Sequence, residues 1–115
     1  METAAGSLAG QAADWGSLGL VATFQERYGA AVASLLRAYR RHRQLGDAYG
    51  MGCDLLNLAE VARRLRRTNM SHRFLRRALA RFESIPAPRQ TLKTRLLLEQ
   101  TARVAEVRSR NPRLN

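Results

Sequence analysis

At 115 residues the chain is long enough for one domain with a modest core and too short for two. Ala, Leu and Arg dominate, all good helix formers, while a single Cys excludes an intrachain disulfide and no apolar run is long enough to span a membrane. Charge is unevenly placed: residues 1–26 hold three acids and no Lys or Arg, so residues 27–115 carry all 20 basic residues, 19 of them Arg, against six acids. Such a surface attracts acidic partners.

The opening METAAGSLAG lacks the basic segment of a secretory signal and the Arg of a transit peptide, and its small residues mark positions 1–10 as a flexible N-terminus. From there to residue 109 the chain reads as one helical domain, followed by a C-terminal tail over 110–115. Breaks divide the domain into five helical segments, at about 11–25, 28–45, 48–66, 70–84 and 89–109. LGDAYG at 45–50 is a Gly/Asp turn, Thr68-Asn69 followed by Ser71 is another break with Asn69 or Ser71 available as an N-cap, and Pro86 and Pro88 cannot sit in a helix interior. No alternating β-branched stretch argues for strands, so the fold class is all-α.

Each segment carries an apolar stripe at helical spacing. Ala31, Leu35, Leu36 and Tyr39 share a face of the second; Leu55, Leu58, Ala59, Ala62 and Leu65 share one in the third. In the fourth, Phe74, Leu75, Ala78, Leu79, Phe82 and Ile85 line up opposite Arg73, Arg76, Arg77 and Arg81. The fifth turns Leu97, Leu98, Thr101, Ala102 and Ala105 inward, with Glu99/Arg103 and Glu106/Arg110 as i,i+4 pairs outside. Short joins between such segments predict antiparallel hairpins. Trp15, Leu18, Leu35, Leu55, Leu58, Leu75, Leu79 and Phe82 are the expected core, and Gly19 and Ala59 the expected close approaches.

A shift of forty residues superposes the chain on itself. Trp15 falls on Leu55, Leu18 on Leu58, Gly19 on Ala59, Ala22 on Ala62, Leu35 on Leu75 and Ala38 on Ala78. Trp15, Leu18 and Gly19 form W-x2-L-G, and Ala31, Leu35 and Ala38 follow at fixed distances. In this the chain resembles the tetratricopeptide repeat, in the longer, about forty-residue variant, with about two and a half units. The resemblance implies a right-handed stack of hairpins and a groove that docks a peptide or helix of another protein. Chaperone-binding members grip an acidic C-terminal peptide with Lys, Asn and Arg; Gly16 and Leu20 stand at two such places, and only Asn57 has a counterpart. The groove face of the third segment would carry Cys53, Leu56, Glu60, Arg63 and Arg64. Asn57, Glu60, Arg63 and Arg64 are the partner-binding candidates.

The expected function is therefore a cytoplasmic or nuclear adaptor for an acidic protein partner, with self-association through uncovered apolar ends. The competing reading is a basic nucleic-acid binder, because residues 57–82 echo a helix-turn-helix. That motif wants Gly where Arg66 stands and an apolar residue where His72 stands, so the reading reduces to weak, nonspecific phosphate binding. No cofactor, metal or catalytic site is implied: His42 and His72 lie far apart, and there is neither a Gly-rich phosphate loop nor a spaced carboxylate pair.

Overall fold

The computed structural model describes residues 7–111, and these are all-helical. Five helices run α1 (Leu8–Phe24), α2 (Tyr28–Gln44), α3 (Ala48–Arg64), α4 (Thr68–Glu83) and α5 (Pro88–Arg110), with no strand among the described residues. Every helix begins twenty residues after the one before. Three-residue joins after 17-residue helices, and a four-residue join after the 16-residue α4, explain that regularity; each of the first three has a left-handed central residue, Glu26, Gly46 or Arg66, that reverses the chain. Only Gly46 adopts this conformation freely; at Glu26 and Arg66 the side chain adds about 1 kcal/mol of strain. The last join is bounded instead by Pro86 and by Pro88, the first residue of α5, where a missing N–H costs nothing.

Consecutive helices are antiparallel. Along α1, Gly19 meets Leu35 while Gln11, two turns earlier, accepts a 3.0 Å hydrogen bond from Arg41 Nε. Between α3 and α4, Ala59 O accepts from Ser71 Oγ at 2.9 Å, whereas Gly52 lies against Phe82. Alternate helices are parallel and in register at about forty residues. Arg64 Nη1 donates to Thr23 O at 3.4 Å, Arg77 Nη2 to Tyr39 Oη at 3.3 Å, and Gln90 Nε2 to Tyr49 Oη at 3.1 Å. The periodicity in the sequence is thus the stacking period of the molecule, whose extents are 58 × 32 × 18 Å.

The core runs through the hairpin interfaces. Leu35, Leu55, Leu58, Leu75 and Phe82 are buried as expected. Gly19 and Ala59 are buried at close crossings: a Cβ on Gly19 would stand 2.6 Å from Leu35 Cγ. Three expectations fail. Leu18 is 54% exposed, while Trp15 and Leu79 are only half-buried. For Trp15 and Leu18 the forty-residue counterparts show why. Leu55 and Leu58 lie on α3, which has helices on both sides; α1 packs on α2 and touches α3 only slightly, so its other face is bare. Trp15 is covered partly by Arg37, whose guanidinium lies 4.5 Å from the ring centroid.

Local details differ too. α1 starts at Leu8 rather than near residue 11, because Ser7 Oγ accepts from Gly10 N at 2.9 Å and caps it. The rest of the expected flexible N-terminus, and Pro112 onward in the tail, fall outside the described residues. At the start of α4 neither Asn69 nor Ser71 caps: Ser71 is buried and bonded across to α3 instead. On α5, Ala102 and Ala105 are exposed and Glu99 makes no pair with Arg103, whereas Glu106 and Arg110 do pair at 2.5 Å.

Candidate functional site

α5 packs on α4 and diverges from α3, leaving a groove of about 290 Å³ between the three helices. Its floor is apolar and small, with Ala59 from α3 and Ser71 and Leu75 from α4. Leu56 forms one wall, and Leu97, Thr101 and Val104 of α5 form the other. At the mouth stand Glu60 and Arg63 on one side and Arg108 on the other, where Arg108 Nη1 donates to Thr68 Oγ1. Ser71 adds no unsatisfied polarity, since its hydroxyl is bonded to Ala59 O. A space of this size is at the lower end of ligand pockets and has room for a few side chains rather than a whole helix.

The four predicted contact residues separate in space. Glu60 and Arg63 line the groove together. Arg63 donates to the Glu60 carboxylate through Nε at 2.6 Å and Nη2 at 2.7 Å, a two-point pairing that is the main reason the Glu60 carboxyl is held below its usual range. Arg64 donates to the same carboxylate at 3.1 Å but points to the α1 side, over the Phe24 ring at 5.6 Å. Asn57 is half-buried on α3 and is not part of the groove lining. One carboxylate is therefore shared by two guanidiniums, and with Arg108 added the mouth stays net positive. Cys53 is half-buried outside the groove, and burial, followed by the Asp54 charge, pushes its thiol up, away from nucleophilic reactivity.

Comparison with family models, curated proteins and solved structures finds no match for this chain. The assignment of a site therefore stands on geometry alone. No group of His, Cys, Asp or Glu that could hold a metal occurs among the described residues, and none of their helices is long and apolar enough to cross a membrane.

One polar feature escapes sequence reading. Asp54 on α3 is 3% exposed and sits 2.6 Å from His42 Nδ1 on α2. Burial raises its carboxyl to about 6, and the histidine bond only partly offsets this. The room is made by glycines. Gly50 admits the His42 ring where a Cβ would collide with it, and Gly16 of α1 passes over Asp54 Oδ1 at 3.9 Å from its would-be Cβ. Three helices meet at this pair, which joins the first hairpin to the second. It lies away from the groove and is a pin between hairpins. In the sequence, Asp54 stands among apolar neighbours on a buried stripe; that anomaly is the signal that could have found it. Of the α4 and α5 groove residues, Thr101 was expected to face inward, but Thr68 and Arg108 carried no comparable signal, since they look like ordinary surface positions.

Proposed function

We propose that this chain is a docking module of tetratricopeptide type that binds a protein partner through the groove between α3, α4 and α5. The observation that carries this reading is the groove itself: an apolar floor at the divergence of α3 and α5, under a mouth bearing Arg63 and Arg108. An acidic segment with two or three apolar side chains at helical spacing fits both parts, the apolar groups entering and the carboxylates meeting the guanidiniums. The forty-residue register of alternate helices supports a repeat of this type, because each unit stacks its small and large residues on the next.

Peptide display against the full chain at about physiological salt tests the reading. The expected result is enrichment of acidic sequences with apolar residues three or four apart, and loss of their binding to Thr101→Trp, which fills the groove from a half-buried position on α5. Absence of enrichment, or equal binding of the enriched peptides to Thr101→Trp, would overturn it.

A further inference from the structure

α5 has a second face that neither the core nor the groove uses. Thr94, Leu97, Leu98 and Thr101 face the rest of the molecule, whereas Leu92, Leu96 and Val107 are 60%, 50% and 47% exposed on the opposite side. Between them, on the same stripe, lie Glu99 and Arg103. The spacing 92–96–99–103–107 follows one helix face over about four turns. Among the described residues Glu99 and Arg103 make no ion pair or hydrogen bond, although they stand four apart on one helix and their neighbours Glu106 and Arg110 do pair. An exposed stripe that is apolar at both ends, with one uncommitted anion and one uncommitted cation in the middle, is complementary to itself when reversed.

We propose that two copies of this chain pair through α5, antiparallel about a two-fold axis near residues 99–100. In that register Leu92 of each copy lies against Val107 of the other. Leu96 of one copy packs on the aliphatic stem of the second copy's Arg103, whose guanidinium reaches Glu99 of the first copy, and the same pair recurs across the axis. The apolar face of α1 is a poorer candidate. Its exposed Leu18, Leu20, Val21 and Phe24 form one broad face on which Asp14, the only charged residue of the helix, has no opposite charge to meet, and Phe24 is already overlaid by Arg64. It carries nothing that would set a register. The stripe from Leu92 to Val107 gives a contact about 22 Å long. That is a small interface, so the pairing is weak and concentration-dependent. The chain's net charge of +11 opposes it at low salt and is screened over about 8 Å at physiological ionic strength. Because the groove opens on the other side of α5, the dimer presents two grooves.

Sedimentation equilibrium of the full chain over a hundredfold concentration range tests this, with circular dichroism melts confirming that each variant folds. The wild type is expected to pass from monomer to dimer. Glu99→Arg and Arg103→Glu, each at an exposed position, should each weaken pairing about tenfold by placing like charges across the axis. The decisive arm mixes these two variants. One chain then has two cations and the other two anions at 99 and 103, so a heterodimer should form more tightly than either variant pairs with itself. A wild type that is monomeric throughout, single reversals that leave the association unchanged, or a mixture that fails to associate would each overturn the proposal.

Discussion

Gly52 is the tightest test of how α3 and α4 pack. A Cβ there would stand 2.6 Å from both Cε1 and Cζ of Phe82 and 3.0 Å from Cδ1. Ordinary carbon contacts are about 3.5–4.0 Å, so the overlap is about 1 Å at two ring atoms and about half that at the third. The ring cannot yield, because Phe82 is 0% exposed and Tyr49 meets it edge-on at 5.7 Å between centroids. The helices must move apart instead, and overpacking of this kind costs about 1–3 kcal/mol. Alanine returns about 1 kcal/mol of helix propensity. Gly52→Ala should therefore lose about 1 kcal/mol net. Gly29 is the control: it is helical, exposed and has nothing within 4 Å of a Cβ, so Gly29→Ala should gain about 0.5 kcal/mol. Thermal melts should separate the two variants by roughly 6 °C, with wild type between them. If Gly52→Ala were stabilised as much as Gly29→Ala, the packing of Phe82 against α3 described above would be wrong.

Asp54 predicts a pH dependence. Its carboxyl is raised from 3.8 to about 6 on folding, so the folded chain holds the proton more tightly than the unfolded chain; stability from this group is complete below pH 3.8 and is lost as pH rises through 6. The loss is at most about 3 kcal/mol, and denaturant titrations should show it between pH 4 and pH 7 in the wild type and not in Asp54→Asn. Ala59→Leu should overpack the α3–α4 crossing at Ser71 and cost about 1–3 kcal/mol, read as a lower urea midpoint. Glu60→Gln releases Arg63 and Arg64 from their shared carboxylate and should tighten binding of an acidic peptide several-fold, measured by fluorescence anisotropy. The outward Arg residues of α2 and α4 should bind duplex nucleic acid weakly, without sequence preference, and release it as salt rises toward about 200 mM. A sequence-selective complex surviving that salt would favour nucleic acid as the true ligand.

Much of the fold was legible because it rests on local pattern. Pro86, Pro88 and the Gly46-Asp47 turn mark two joins, and Asp47 does cap α3, accepting from Gly50 N at 2.9 Å. The forty-residue shift found the stacking period because matched residues occupy matched crossings: Gly19 and Ala59, Ala22 and Ala62, Leu35 and Leu75, Ala38 and Ala78 are all buried. It misjudged Trp15 and Leu18 for a physical reason. Pattern reports which face is apolar, whereas burial depends on whether another helix covers that face, and α1 has cover on one side only. The twenty-residue beat of helix starts was also hidden, since Glu26 and Arg66 take the left-handed turn that Gly ordinarily signals. At the groove, Glu60 and Arg63 were readable from the third segment alone. Leu97 and Thr101 of the α5 wall were read as inward-facing, but not as lining a groove, because the divergence of α5 from α3 is a tertiary fact with no local signature.

The most direct test of the docking account is amide chemical-shift mapping on the full chain during titration with an acidic peptide enriched by display. The account predicts the largest shifts at Leu56, Ala59, Ser71, Leu75, Leu97 and Thr101, which line the groove. Shifts concentrated instead on the outward Arg residues of α2 and α4, with the groove unmoved, would contradict it.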